Sequence, residues 1–454
     1  MTIPAIIRQK DRDAILQSLH AGVVPRIGLQ HIQVGRAQEV QALLADIERI
    51  RDGGSSIRFV IGEYGSGKTF FMHLVRAIAL EKGLLTIHAD LTPDRRLQAT
   101  GGQARSLYME LMKNLASRTR AEGGALPSVV ERFVTSAMTE AKNDNKKVEA
   151  VILQRLQHLS EMVGGYGFAE VIAAYWKGHD TGNEQLKSDA IRWLRGEFST
   201  KTDARAALGV RTIIDDSNVY DHLKLMALFA VLSGYSGILV ALDELVNLYK
   251  LANTQARNAN FEQILRILND CLQGGASGLG FIMCGTPDFL MDTRRGLYSY
   301  SALQSRLAEN TFAKASGVVD YTGPVIRLNS LSPEDLFVLL GKIRNVFASG
   351  DPAKYLVPDE ALKAFMTHCS KRIGEAYFRT PRTTIRSFVD LLSLLDQNSG
   401  LEWKTLLGQI QLEADRSPDL ATTLTEEIRP TSPYTNPDQG TPPSNDNDLT
   451  TFKL

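Results

Sequence analysis

Mostly apolar residues fill five short segments of the chain, each about as long as a buried strand. The segments are Ile57–Ile61, Gly83–Asp90, Gly237–Glu244, Gly278–Thr286 and Val325–Leu328. A parallel strand that helices cover on both faces must be apolar along its whole length. Residues between these segments repeat instead at helical spacing, so the pattern predicts an α/β fold with a parallel sheet flanked by helices.

The segments ending at Asp90 and beginning at Gly237 are separated by far more chain than one crossover requires. We expect a helical insertion there. It either forms a partner-binding surface or has the structural role of covering one face of the sheet. After the last apolar segment, Ser332 and Pro333 have the residue types of an N-cap and a first helical position, which predicts a separate helical lid. Beyond Arg416, residues rich in Thr, Pro, Ser and Asn cannot bury enough apolar surface to fold, and their apolar end either docks on a partner or frays.

These patterns predict five regions of the chain. They are an N-terminal helical and adenine-side element at 1–50, an ATPase core at 51–103 and 233–330, a mostly helical insertion at 104–232, an α-helical lid at 331–416 and a disordered tail at 417–454.

The residues that follow the first apolar segment match the phosphate-binding pattern G-x-x-x-x-G-K-[ST]. Its glycines let the backbone curl so that successive N–H groups point inward, and the start of the next helix adds a partial positive charge. We expect the Lys68 amine to reach the β- and γ-phosphates of a nucleotide and the Thr69 hydroxyl to bind Mg²⁺. The predicted nucleotide-binding residues are Gly62, Glu63, Tyr64, Gly65, Ser66, Gly67, Lys68, Thr69 and Phe70.

A second candidate motif is the pair of carboxylates, Asp243 and Glu244, that ends the third apolar segment. The carboxyl ends of parallel strands are where α/β proteins place their ligands. We expect Asp243 to hold Mg²⁺, directly or through water, and Glu244 to accept a proton from the attacking water. Hydrolysis of a nucleoside triphosphate is the chemistry that these motifs support.

Composition narrows the possible partners and surroundings. Lysine and arginine total 51, as do aspartate and glutamate, so any nucleic-acid contact must come from a local patch. Three cysteines without C-x-x-C spacing fit a reducing cytoplasm, and His73 and His88 are expected to pack near the sheet. No apolar run approaches the roughly twenty residues that cross a bilayer, so we expect a cytoplasmic protein without a membrane partner.

Several short motifs together resemble an AAA+-like ATPase of the origin-recognition and STAND neighbourhood. They are more closely similar to the BREX-system ATP-binding protein family of bacterial anti-phage defence, over approximately residues 8 to 400. This resemblance implies a protein that binds ATP and Mg²⁺ beside a helicase or another defence protein, with Val34 and Gly35 near the adenine. The motifs are Gly22–Arg26, Val34–Arg36, Gly62–Phe71, Leu242–Glu244, Gly285–Pro287 and Thr380–Arg382.

The ATPase class that the chain resembles implies further site residues. Thr286 is in the position that often aligns the hydrolytic water, although a threonine that only starts the Thr-Pro turn fits equally well. Arg382 is in the position of a second sensor on the lid, and Arg306 in that of a finger acting on a neighbouring protomer. Arg294 and Arg295 are alternatives for the finger, and a surface ion pair is the structural alternative for each arginine.

Three functions fit these observations. The first is an ATPase whose hydrolysis drives a conformational or assembly step in phage defence, and the second is a slowly hydrolysing ATP-gated switch or scaffold. The third is a loader or remodeller of DNA complexes. For direct DNA binding, the basic stretch Lys371–Arg386 is a weak indicator, because a lid that faces a triphosphate is also basic.

Overall fold

A computed structural model describes residues 7–373, 381–398 and 400–409 of the chain. Its centre is a five-stranded parallel sheet with the strand order β2-β3-β4-β1-β5. The α/β class and the parallel sheet are therefore as predicted, and the predicted tail at 417–454 lies outside the described residues. The strands are β1 (Ser55–Gly62), β2 (Leu85–Asp90), β3 (Ile238–Asp243), β4 (Leu279–Gly285) and β5 (Val325–Leu328).

Helices cover both faces of this sheet. The side chains of β1 alternate between two cores, because successive residues of a strand point to opposite faces. Phe59 belongs to a large core shared with the helices that follow β2, whereas Val60 packs with α2 (Ala37–Arg51) and α3 (Lys68–Glu81). Since both faces are buried, β1 is buried at every position.

The chain between β2 and β3 forms eight helices. They pack around one continuous apolar core that includes Phe133, Phe168 and Phe229, and this core also receives one face of the sheet. The helices are α4 (Gln103–Lys113), α5 (Leu126–Asn143), α6 (Val148–Arg155), α7 (Gln157–Ser160), α8 (Gly165–Thr181), α9 (Glu184–Leu194), α10 (Lys201–Leu208) and α11 (Val219–Leu232).

Five helices lie between β3 and β5, and four helices follow β5 within the described residues. The first set is α12 (Val246–Tyr249), α13 (Thr254–Gln273), α14 (Pro287–Met291), α15 (Ser301–Leu307) and α16 (Thr311–Ser316). The second set is α17 (Pro333–Phe347), α18 (Asp359–Ile373), α19 (Pro381–Gln397) and α20 (Trp403–Gln409). Short 3-10 helices lie at Leu29–His31, Leu297–Ser299 and Pro352–Lys354.

The first helix, α1 (Gln9–His20), packs with the helices that follow β5. Its buried residues Ile15 and Leu19 lie in one apolar cluster with Leu340 of α17 and Phe388 of α19. The α17 helix begins as its sequence predicts, with a capping box in which the Ser332 hydroxyl accepts from the Asp335 N–H at 3.0 Å. The N-terminal helix thus shares one core with the helices that follow β5, which we call the lid core after the predicted lid.

A buried ion pair joins α2 to the strand β1. Arg58 Nε donates to Asp46 Oδ2 at 2.5 Å, and Arg58 Nη2 donates to Asp46 Oδ1 at 3.1 Å. Arg58 Nη1 also donates to the carbonyl oxygens of Tyr321, at 2.9 Å, and of Gly323. This guanidinium therefore connects α2, β1 and the chain that leads into β5.

We expect Asp46→Ala to destabilise the fold strongly, because it leaves the buried Arg58 guanidinium without its carboxylate. Breaking one side of a buried pair costs about 3–5 kcal/mol, and urea unfolding followed by circular dichroism would measure this loss. Glu48→Ala on the exposed face of α2 is the matched control and should change the midpoint far less. Equal shifts in the two variants would contradict the assignment.

Among the helices of the described residues, none combines the length and apolar composition that crossing a bilayer requires.

Candidate active site

The predicted phosphate loop connects the end of β1 to the start of α3. Gly65 and Gly67 have φ angles of 81° and 86°, a left-handed backbone that favours glycine over every residue with a Cβ. The side chain of Ser66 is buried, and its Oγ has no hydrogen-bond partner among the described residues. A buried unpaired hydroxyl in a curled loop is a polar group left for a ligand or water to satisfy.

The Lys68 amine lies against the carbonyl oxygens of its own loop. Lys68 Nζ donates to Gly62 O at 2.8 Å and to Glu63 O at 2.9 Å. Burial lowers the pKa of this amine from its ordinary value, and the nearby Asp243 carboxylate partly opposes that shift. A polyphosphate would therefore meet a lysine that is already held at the loop.

The loop and the predicted acidic strand end lie in direct contact. Thr69 Oγ1 donates to Asp243 Oδ2 at 2.8 Å, and the Asp243 side chain is buried. The two residues chosen from sequence as Mg²⁺ ligands are thus adjacent, although 174 positions separate them. A hydroxyl beside a carboxylate is a donor set of the kind that Mg²⁺ prefers.

Glu244 follows Asp243 at the exposed mouth of the site. Its backbone N–H donates to Asp243 Oδ1 at 2.8 Å, and its φ angle is 57°, which is uncommon for a residue with a side chain. Residues held in such conformations occur often at functional sites, where the surrounding structure enforces them. This turn directs the chain away from β3 immediately after Asp243.

Asp90 is a site residue that motif analysis missed. In the parallel register of β2 and β3 it lies directly opposite Asp243. Burial, followed by the charge of Asp243, raises the pKa of the Asp90 carboxyl above its usual value. Its signal in the sequence is an apolar strand that ends in an aspartate, the same pattern that identified Asp243.

The residues predicted near the adenine lie between the loop and α17. Val34 packs against the lid core together with Phe70, and Gly35 has a φ angle of 60°. A Cβ at Gly35 would lie 3.2 Å from Asp335 Oδ1, so the lid approaches the backbone closely at this point. The next residue, Arg36, donates to Ser66 O at 3.2 Å and to Asn329 O, a loop contact that sequence analysis did not assign to it.

The predicted lid arginine reaches the phosphate loop. Arg382 Nη1 donates to the Tyr64 hydroxyl at 3.2 Å, and the Arg382 stem packs over Gly22. Residues 374–380 lie outside the described part of the chain, and they form the middle of the predicted basic stretch. This contact joins α19 and the chain after α1 to the loop.

Thr286 and the other arginines have different surroundings. The Thr286 hydroxyl accepts from the Phe289 N–H at 3.4 Å and thereby caps α14. Arg306 donates to Ala302 O at 3.0 Å on the exposed side of α15, and within the described residues no contact joins it to the phosphate loop. Arg295 donates to Tyr249 O and lies over the Tyr249 ring.

The two histidines near the sheet are packing residues in the structure. The rings of His73 and His88 meet edge to face, and burial lowers their pKa values to about 4 and about 3. Within the described residues, no three His, Cys, Asp or Glu side chains form a group that could hold a metal ion.

A family model described as BREX system ATP-binding protein BrxC/D matches residues 7–411. The chain belongs to this family. The BrxC/D match spans the sheet, the helices between β2 and β3 and the helices after β5, so all described residues lie within it. No curated protein matches the chain. Membership in the BrxC/D family supports ATP binding and a place in phage defence, and it agrees with the family resemblance seen in the short motifs.

Proposed function

We propose that this chain is a Mg²⁺-dependent ATPase with an AAA+-like core, and that hydrolysis drives a conformational or assembly step in phage defence. The observation that carries this proposal is the 2.8 Å hydrogen bond between Thr69 and Asp243. It brings two motifs that lie far apart in the chain to one place. The position of β4 between β1 and β3 supports the AAA+ analogy, because it is the arrangement of additional-strand ATPases.

The residues present fit a bound magnesium nucleotide. Thr69 and Asp243 supply the hydroxyl and carboxylate oxygens that would hold Mg²⁺, and the glycine loop supplies inward N–H groups. Mg²⁺, when bound, neutralises charge on the β- and γ-phosphate oxygens. The unpaired Ser66 hydroxyl provides one more donor inside the loop.

Hydrolysis requires a water to attack the γ-phosphorus as the bond from that phosphorus to the β–γ bridging oxygen breaks. The products are ADP and inorganic phosphate, and the water loses a proton. We assign acceptance of this proton to Glu244 and orientation of the water to Thr286, which also caps α14. Lys68 and Arg382 stabilise charge on the departing phosphoryl group from the loop and the lid.

Arg306 has a proposed role only in an assembly. Its exposed side chain is available to a second copy of the chain, in which it would face the neighbour's γ-phosphate. A helicase or another defence protein is the alternative partner, and the cytoplasm is the proposed location. DNA is a further candidate partner. Because the charge of the whole chain is balanced, a DNA contact would have to come from a local basic patch.

The direct test is phosphate release by the purified full chain. We expect repeated turnover of ATP in the presence of Mg²⁺, a fall to background after chelation with EDTA, and recovery when Mg²⁺ is returned in excess. Unchanged turnover in EDTA would refute the metal assignment. Fewer phosphates released than chains present, with tight ATP binding, would favour the gated switch, and salt-sensitive stimulation by DNA would favour the loader.

A further inference from the structure

The chain continues past β2 into a tight turn at the edge of the candidate site. Leu91 N donates to Asp243 O at 3.0 Å, which extends the pairing of β2 with β3 by one residue. Thr92 and Arg95 then exchange both backbone hydrogen bonds, each at 3.1 Å, across a turn formed by Pro93 and Asp94. These four residues form a small hairpin immediately beyond Asp90.

The pleat of β2 shows which face of the sheet this hairpin presents. Leu85, Ile87 and Ala89 point into the core shared with the insertion, so Asp90 points to the opposite face. Asp243 points to that same face, where Thr69 of α3 meets it. Leu91 returns to the core, and Thr92 therefore projects from the face of Asp90 and Asp243.

Arg95 shares this face because it lies directly opposite Thr92. Residues opposite each other in an antiparallel pair project their side chains to the same side. Arg96, one position further, projects to the other side, and its Nε donates to Pro93 O at 2.8 Å. Two adjacent arginines are thus divided between the site face and the outside of the turn.

The hairpin is fixed to the sheet domain at several points. The buried Asn260 side chain accepts from the N–H groups of Leu97 and Gln98, both at 3.0 Å, and donates to Gln98 O at 3.0 Å. Asn247 Nδ2, on α12, donates to Leu91 O at 2.7 Å. Because both ends of the hairpin are held, Arg95 has a defined position at the edge of the site.

The half-buried Arg95 side chain has neither a hydrogen bond nor an ion pair within the described part of the chain. The Arg95 guanidinium is close enough to Asp90 to offset part of the rise in the pKa of that carboxyl, which burial and Asp243 cause. A partly desolvated guanidinium without an acceptor has donors available for an anion. The anion expected on this face is the phosphate end of the nucleotide next to Thr69.

We propose that Arg95 binds the terminal phosphate of a bound nucleoside triphosphate from within the same chain. The assignment rests on the proposed function, and it adds a residue that distinguishes a triphosphate from a diphosphate. A γ-phosphate places additional anionic oxygens at the carboxyl ends of the strands, where Asp90 and Asp243 repel them. A guanidinium on the same face offsets this repulsion and forms planar hydrogen bonds to phosphate oxygens.

The test compares nucleotide affinities of three full-length variants with those of the unaltered chain. We expect Arg95→Ala to weaken binding of a fluorescent non-hydrolysable ATP analogue by about 10- to 100-fold, the range of a charge-assisted hydrogen bond. Binding of the matching ADP analogue should change by less than about 3-fold, because it lacks the contact. Arg95→Lys should recover part of the loss, since it keeps the charge without the planar fork.

Arg96→Ala is the matched control and should leave both affinities unchanged. Equal losses for the ATP and ADP analogues in Arg95→Ala, or effects equal to those of Arg96→Ala, would overturn the proposal. Should Arg95→Ala fail to fold by circular dichroism, Arg95→Gln carries the same comparison with more of the side-chain volume retained. An unaltered chain that binds neither nucleotide would instead refute the proposed function itself.

Discussion

Glu244→Gln should slow ATP hydrolysis by about 10²- to 10⁴-fold while ATP binding is retained. Glutamine keeps the size of the side chain and removes the carboxylate that accepts the proton of the attacking water. The backbone N–H of residue 244 still donates to Asp243, so Asp243 should keep its position beside Thr69. Single-turnover phosphate release, together with equilibrium binding of a fluorescent ATP analogue, would measure both quantities.

Asp243→Asn distinguishes loss of the proton acceptor, as in Glu244→Gln, from loss of a proposed Mg²⁺ ligand. Asp243→Asn should raise the Mg²⁺ concentration for half-maximal binding and also lower the turnover rate, because Asp243 contacts Thr69 directly. Glu244→Gln should instead leave the Mg²⁺ concentration for half-maximal binding unchanged. Normal turnover in Glu244→Gln would remove this residue from its proposed role.

The sheet could be predicted from the sequence because its strands have a local signal. β3 and β4 are apolar at nearly every position, as burial on both faces favours, and β1 has an apolar run interrupted by Arg58, whose charge is paired with Asp46. Helix ends have a weaker signal: the apolar face of α13 includes Phe261, Ile264 and Leu268, but the helix starts at Thr254 after an Asn253 cap. The cap residues there are ordinary polar residues, and apolar periodicity does not reveal them.

Contacts between distant parts of the chain had no local signal. The apolar face of α1 indicates that the helix packs on something, but nothing in its periodicity identifies α17 and α19 as the partners. Likewise, Asp90 joins the site through the register of β2 on β3, and Arg95 through one further turn. Register depends on the whole sheet, so motif analysis identified Asp243 and missed the aspartate beside it.

The candidate site shows the same division. The glycines, Lys68 and Thr69 form a contiguous motif whose physical purpose can be deduced from residue types alone. Arg382 and Arg36 contact this loop from distant parts of the sequence, and the first was selected only through an analogy with an ATPase class. The roles of Thr286, Arg306 and Arg382 in hydrolysis, and the domain boundaries, stay predictions.

Lys68→Ala should weaken ATP binding by about 10- to 150-fold, the equivalent of roughly 1.5–3 kcal/mol for a hydrogen bond to a charged group. Lys68 Nζ donates to Gly62 O and Glu63 O, so the amine is already placed at the loop and little ordering opposes its transfer to phosphate. Isothermal titration with ATP and Mg²⁺ would measure the loss.

Lys82→Ala, at the far end of α3 and paired with Glu48, is the matched control and should bind ATP as the unaltered chain does. Because Lys68 also ties two loop carbonyls, Lys68→Met should be measured beside it, with thermal unfolding to confirm that both proteins are folded. Undiminished ATP affinity in folded Lys68 variants would mean that the curled loop after β1 does not hold the phosphates, and the proposed function would fail with it.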